Sequence, residues 1–376
     1  MRSTFRFVGK PSLPKNSKRP FMKEGTFKDK NKKTRKYVQM NFGVKCGENN
    51  MGFVEGFDSE KDEVNYWDYD GEKTTIDWED RFDEDILDDL PRGIGYTINL
   101  GEDFGGRRTF LTLYDAMYFL EENLPNYKGK IMVTGDFERT YYPKNGNWYD
   151  KFKFKNVFAI DEENEVKDKL EVFADIYYNK NCIDKTDWKE EKKIYLDGFI
   201  EQYISSEKET MFVPMRFAFS GEKYKVDENE LHKKLLKYKL SYIDIKNKNY
   251  VHIPWEIRLI RGAEEVDFDE TMLTEKQKEQ VELGIKTLDD FKPRGAVFGN
   301  NINEYRLFDP YLKGDFEDGI LEADETNEEF EEKIYQPVME ESEKDMNKGK
   351  VVDIKELMDD DNDETEDIDL DVDDLF

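Results

Sequence analysis

The stretch Asp359–Asp374 holds eleven carboxylates and no basic residue, and it limits most sharply what this chain can fold into. Like charges at that density repel one another, and the few aliphatic side chains among them cannot bury a core. The expectation is a disordered acidic arm. Leu375 and Phe376 follow the last Asp, so the arm carries a hydrophobic tip suited to a basic-rimmed apolar pocket on another protein. Asp373, Asp374, Leu375 and Phe376 are the expected partner-binding residues. Any core must come from the preceding residues, where the 27 Phe and 21 Tyr of the 376-residue chain supply ample apolar surface.

The opposite charge gathers at the other end. Residues 1–46 carry fourteen Lys or Arg against two acids, in a chain of net charge -29. An electrostatic footprint is local, so this asymmetry says more about partners than the net charge does. Phe5, Phe7, Phe21, Phe27, Tyr37 and Phe42 are interleaved with the cations. Cationic groups for phosphates and rings for bases hold a single strand without strong sequence preference. Two other readings of the same residues stay open: a strand core with a solvated basic face, and a surface on which the acidic arm folds back.

The two cysteines, Cys46 and Cys182, are far apart and imply no disulfide framework, which fits a reducing compartment. No apolar run is long enough to span a bilayer and MRSTFRFVGK lacks the apolar stretch of a secretory signal, so a soluble cytoplasmic protein with no membrane partner is expected.

Along the chain, Phe5 and Phe7 alternate up to Gly9 as a short strand. Pro11–Lys36 contains three prolines and reads as a long flexible connection. Tyr37–Val44 alternates as a second strand, and a third ends near Phe57. Strands are expected at Tyr96–Leu100, Thr109–Leu113 and Tyr250–Ile260, and helices at Tyr114–Leu124, Asn229–Leu240 and within Asp267–Asp290. Glu162–Tyr178 fits strand or helix, and order is expected to fade through Asp315–Glu332. KIMVTGDF at 130–137 resembles KIYLDGFI at 193–200, and WYDKFKF at 148–154 corresponds to MFVPMRF at 211–217, both at an offset of 63. FRFVGK and QMNFGV form a looser third copy. Repeated glycine-bent strand pairs point to repeated small barrels, although short copies also arise by chance in a chain so rich in aromatic and basic residues.

Signatures of catalysis are absent. No phosphate loop or nucleophile elbow occurs, and His232 and His252 lack spacing partners for zinc. Asp68, Asp70, Asp77 and Glu79 come nearest to a metal cluster, but equally form an acidic loop beside aromatics. No enzyme activity, metal or cofactor is expected. Gly105 and Gly106 before Arg107 and Arg108 offer turn amides and guanidiniums to phosphates, or make a plain hairpin turn. Arg139, Tyr141, Tyr142, Lys144 and Trp148 lie on the hairpin where an oligonucleotide-binding barrel presents its contact loop. The full expected nucleic-acid set adds Lys10, Lys18, Arg19, Phe21, Lys32, Lys33, Arg35, Tyr37 and Phe42.

The segment DIDLDVDDLF resembles the acidic tip of bacterial and phage single-stranded DNA-binding proteins, where Asp residues precede a final apolar pair ending in Phe. Leu375 stands where the usual bacterial ending has proline. RFVGK and KYVQMNFGV are similar to the start of large phage proteins of this type, so the chain resembles bacteriophage single-stranded DNA-binding proteins over about 60 residues. The resemblance implies noncatalytic single-stranded DNA binding in replication or recombination, in the host cytoplasm. Replication or recombination proteins would be recruited through the tip. The expected fold is mainly β (α+β), with two or three OB-like small barrels, connecting helices and a disordered acidic tail. Residues 1–128 would form an OB-like domain with a basic loop, 129–310 the repeated strand-pair region and 311–376 the tail. A noncatalytic scaffold or virion-associated structural protein, and a metal-dependent nuclease, are the alternatives. If the tail competes with DNA for the basic groove, a chain ending at Met358 binds single strands more tightly at low salt than the full chain. Equal affinities in a fluorescence titration would remove the competition.

Overall fold

Strict alternation of inward apolar and outward polar side chains makes this protein mostly β. The computed structural model describes residues 3–14, 20–47, 50–161, 166–221, 224, 230–266, 273–291, 297–311 and 319–337. The strands are β1 (Thr4–Ser12), β2 (Met22–Lys28), β3 (Thr34–Cys46), β4 (Asn50–Ser59), β5 (Glu63–Trp67), β6 (Lys73–Asp77), β7 (Tyr96–Asn99), β8 (Arg107–Phe110), β9 (Lys130–Tyr142), β10 (Asn147–Ile160), β11 (Lys169–Tyr178), β12 (Ile183–Asp184), β13 (Lys193–Ile204), β14 (Glu209–Ser220), β15 (Val251–Val266), β16 (Val297–Pro310) and β17 (Leu321–Glu322). The helices are α1 (Glu84–Asp88), α2 (Leu113–Asn123), α3 (Trp188–Glu191), α4 (Glu230–Ile243), α5 (Glu275–Glu282) and α6 (Asn327–Glu332). Among the described residues no helix is long and apolar enough to cross a membrane.

All strands but β5 and β6 belong to one mixed sheet that closes on itself twice. In the first ring β1 pairs with β3, β3 with β4, β9 with β10 and β1 with β9, all antiparallel, while β4 and β10 meet in parallel at Glu55 and Lys153. In the second ring β11, β13, β14, β16 and β15 repeat this connectivity, with β14 and β16 parallel at Ala218 and Arg306. In each ring one main helix, α2 or α4, falls between the third and fourth strands. Val38, Met40, Phe42 and Val44 fill the first ring from β3, and Ile194, Leu196 and Ile200 fill the second from β13.

Closing so small a ring requires tight corners. A Cβ on Gly135 would lie 2.0 Å from the Lys153 carbonyl oxygen, and one on Gly9 2.2 Å from that of Lys45. Both positions therefore need glycine, and β1 turns at Gly9 from pairing with β9 to pairing with β3.

The rings are joined where β1 also pairs with β11, Thr4–Val8 against Phe173–Lys169. Glu171 lies on the outer side of this seam with no exposed side-chain surface, yet Arg6 Nε (2.6 Å), Lys169 Nζ (2.6 Å) and Arg258 (3.1 Å) all reach it. Burial pushes its pKa up, but the hydrogen bonds from Arg6 and Lys169 and the charge of Arg258 outweigh that and hold the carboxyl below its usual range.

Several expectations are corrected. The 63-residue offset joins non-equivalent hairpins: β9–β10 are the fourth and fifth strands of their ring, β13–β14 the second and third of theirs. Both show the same pattern because any hairpin in a small ring must alternate and make room for a corner, so the true repeat is the whole ring. The looser third copy dissolves likewise, since FRFVGK and QMNFGV lie on β1 and β3, the first two strands of the first ring. A boundary at residue 129 would cut that ring between α2 and β9. Pro11–Lys36 is not all loop, because β2 pairs along β3. The ambiguous 162–178 stretch contains the strand β11. Of the stretch 315–332, residues 315–318 lie outside the described residues, and 319–332 hold a packed element: α6 carries a capping box of Thr326 and Glu329, and Phe330 is fully buried between Phe212 and Tyr250, with both ring centroids 3.9 Å away. One buried ring and a good cap outweigh the repulsion among the flanking acids.

Two outcomes follow for stability. Phe330→Ala is expected to cost about 3–5 kcal/mol, read as a lower urea midpoint, and an unchanged midpoint would show that α6 is only loosely attached. For Glu171, a depressed folded pKa means its stabilisation is present above the unfolded carboxyl value and is lost as pH falls through the folded value. Glu171→Gln is therefore expected to destabilise by about 3–5 kcal/mol at pH 7, with the gap to wild type closing in acid unfolding curves below about pH 4.

Candidate nucleic-acid interface

The outward face of β2, β3 and β4 carries an open row of aromatic rings. It begins at the β2–β3 hairpin, where the Asp29 carboxylate accepts from the backbone N–H groups of Asn31 and Lys33, both at 2.9 Å. Arg35 donates to Asp29 at 2.9 Å and also to Asp62, while Lys33 Nζ reaches Asp62 at 2.5 Å. The Arg35 guanidinium, helped by Lys33, holds the Asp62 carboxyl well below the usual carboxylate range. These contacts pin the hairpin against the first ring. Gly25 then lets the Tyr37 ring lie on the β2 backbone, 2.5 Å from where a Cβ would sit. Tyr37 lies 6.4 Å from Phe27 and 5.6 Å from Phe57 between ring centroids. Phe53, two outward positions along β4, is 60% exposed and Phe57 62%.

Lysines border this row. Lys23 stands opposite Gln39, and Lys45 stands opposite Lys10 across β1 and β3. Two exposed like charges directly opposite one another are unfavourable by themselves, and an anion between them would relieve the repulsion. On the other flank β10 adjoins β4 at Lys153 and Glu55, and Lys153 is held by Glu138 at 2.5 Å. Glu55 is the acid on the face itself.

Counting from the hairpin ends shows what the second ring does at the same places. Phe53 is three residues after Asn50, the first paired residue of β4, and Phe212 is three after Glu209, the first of β14. Tyr37 and Tyr195 correspond likewise, as do Phe57 and Arg216. Phe212 is only 3% exposed because Phe330 stacks on it, and Arg216 lies over the Tyr195 ring at 4.4 Å while pairing with Asp184 and Asp197. The second ring's face is covered and neutralised where the first ring's is bare.

The structure scatters the expected contact residues. Lys10 and Tyr37 lie on the open face, and Lys32 is exposed at the hairpin tip in a left-handed conformation (φ 63°). Lys33 and Arg35 are engaged with Asp62 and Asp29. Phe42 is buried in the core, where β3 alternation turns it inward, so it cannot be a surface contact. Phe21 is half-buried against it, with centroids 6.3 Å apart. Arg139 is an inter-ring strut: it donates to Asp150 at 3.0 Å and to the Pro214 carbonyl, and its backbone exchanges hydrogen bonds with the Gln202 amide. Arg261 and Tyr305 from the second ring reach the same Asp150 at 3.2 and 2.7 Å. Tyr141 and Trp148 pack together, and Trp148 leans on Tyr335. Tyr142 and Lys144 are exposed at the β9–β10 turn beside Tyr149. Arg107 and Arg108 are exposed on β8, which joins β4 only through β7 and β10. Lys18, Arg19, Asp373, Asp374, Leu375 and Phe376 lie outside the described residues.

Phe53, Phe57, Lys23 and Lys45 were not in the expected set, and Phe27 entered only as one of the rings interleaved with the cations. The signal for Phe53 and Phe57 is GFVEGF at 52–57: Gly52 and Gly56 face inward because Phe7 and Phe154 occupy the room their side chains would take, at 2.5 and 2.7 Å. With glycine inside, the alternating Phe53 and Phe57 must point out.

Among the described residues no three His, Cys, Asp or Glu side chains gather as a metal site. Asp68 instead closes the β5–β6 turn, accepting from the backbone N–H groups of Asp70 and Glu72 and from the Thr74 hydroxyl.

No protein-family model matches the sequence, and no curated protein matches it. Among solved structures, a deletion mutant of the single-stranded DNA-binding protein from Thermus aquaticus aligns at 8% identity and a TM-score of 0.27, covering 69% of this chain and 87% of that one. The wild-type Thermus aquaticus protein aligns at 7% identity and 0.24, covering 69% and 85%. Such scores are too low to establish a shared fold, and the functional reading rests on the geometry of the open face.

Proposed function

We propose that this protein binds single-stranded DNA without catalysis, along the β2–β3–β4 face of the first ring. The observation that carries the reading is the row of exposed Phe27, Phe57 and Phe53 with the half-buried Tyr37 between lysines, where the second ring has covered or salt-bridged the positions equivalent to Tyr37, Phe53 and Phe57. Bases stack on exposed rings whatever their identity, and lysines along the edges track the phosphates. Each ring is read as an oligonucleotide-binding barrel. In such a barrel the second and third strands and the loops between strands one and two and between four and five contact the ligand. Here those are β3 and β4, the basic segment containing β2, and the β9–β10 turn with Tyr142, Lys144 and Tyr149. The acidic segment beyond residue 337 would recruit replication or recombination proteins, in keeping with the phage-like resemblance of its last ten residues.

The test is a salt titration of binding to single-stranded and double-stranded DNA. Phe53→Ala and Phe57→Ala are each expected to weaken single-strand binding by about 1–3 kcal/mol, while Tyr195→Ala on the second ring leaves it unchanged. Replacing Lys23 and Lys45 with Gln is expected to flatten the salt dependence by about 0.7 per lysine. Equal affinity for both forms of DNA at low salt would sink the proposal.

A further inference from the structure

Helix α4 has two apolar stripes. Leu236, Leu240 and Ile243 point into the second ring and are buried. Leu231 (67% exposed), Leu235 (38%) and Tyr238 (45%) recur at intervals of four and three on a different side, and Tyr242 continues the line with its ring 5.2 Å from that of Tyr238. A helix that only needs to cover a barrel end requires one such stripe. The second is bordered by Lys234 and Lys237, on the side away from the core, where the helical repeat places them. Contrary charge comes from the exposed Glu230, one turn before Lys234 on the same edge, and, near Tyr238, from Asp309, which the buried Lys239 Nζ already holds at 2.6 Å. The surface is thus apolar along its centre, with two lysines against one acid along one edge.

The chain contains a segment of the complementary chemistry. In Asp367–Phe376 the aliphatic Ile368, Leu370 and Val372 alternate with Asp367, Asp369, Asp371 and Asp373, and these residues lie outside the described part of the structure. An extended run of this pattern has one aliphatic and one carboxylate side. The tether is sufficient: residue 337 is 31 positions before Ile368 (368 minus 337), and that many residues span up to about 100 Å, against a radius of gyration of about 20 Å for a fold of this size.

We infer that the α4 stripe is an intramolecular docking site for Asp367–Phe376, with the aliphatic side on Leu231, Leu235 and Tyr238 and the carboxylates toward Lys234 and Lys237. Docking there holds the segment away from the open face of the first ring until a competing partner takes it. This goes beyond single-strand binding and does not depend on it.

The experiment places a photoactivatable benzophenone side chain at Tyr238 in the full chain and maps the crosslinks by mass spectrometry. The expected crosslinks run within one chain to residues 367–376. They fall at least tenfold in the Ile368→Ser, Leu370→Ser, Val372→Ser triple variant and in Lys234→Glu, Lys237→Glu, and also at 0.5 M salt, while Lys23→Glu, Lys45→Glu leaves them unchanged. Because the α4 substitutions are on exposed positions, an unaltered melting curve separates lost docking from lost folding. Crosslinks to α4 of a second copy, crosslinks that persist in the tail variant, or none to residues 367–376 would each overturn the assignment.

Discussion

The pairing of β1 with β11 decides how the two rings share one molecule. β1 already closes the first ring against β9 and β3, so its further pairing with β11 places the wall of one ring against the wall of the other. A seam made only of backbone hydrogen bonds would leave the outer side of Glu171 buried and charged, which is expensive unless cations surround it. Arg6 supplies one from the first ring, Arg258 another from the second, and Lys169 a third from the same strand. The Asp150 cluster, fed by Arg139 from the first ring and by Arg261 and Tyr305 from the second, braces the same interface elsewhere. Sliding either ring would uncouple both clusters at once.

That rigid union gives the two outer faces different roles. Equivalent strands carry Tyr37, Phe53 and Phe57 in one ring and Tyr195, Phe212 and Arg216 in the other. The segment from Thr326 to Tyr335 lies on the second: Phe330 stacks on Phe212, and the strand-like pairing of Ile334 with Phe212 extends the edge of β14. Tyr335 then touches Trp148 of the first ring. The described part of the chain therefore ends next to the β9–β10 hairpin, while the first ring's aromatic row faces solvent.

Much of the strand architecture was legible because a pleated strand forces alternation. Tyr37–Val44 and Lys130–Phe137 announce themselves this way, and the 3.6-residue spacing of Met117, Leu120 and Leu124 announces α2. The site was legible only in part. Phe42 and Tyr37 look alike along the sequence, five residues apart in a cationic segment, but five is odd, so alternation sends one ring inward and the other out. Arg139 and Arg35 look like phosphate ligands until the fold brings Asp150, Asp29 and Asp62 against them. Phe330 looked like one apolar residue among acids, because its partners Phe212 and Tyr250 are about 118 and 80 positions away in the chain and local pattern holds no trace of such contacts.

By itself the sequence determined the local periodicities, the glycine corners and the segregation of basic and acidic charge, all of which depend on neighbours within a few residues. Only the tertiary structure decided that the repeat is a ring rather than a hairpin, which aromatics are exposed, and which cations are already neutralised. Those properties belong to pairs brought together by strand closure, and closure is set by the sum of many weak contacts that no single segment encodes.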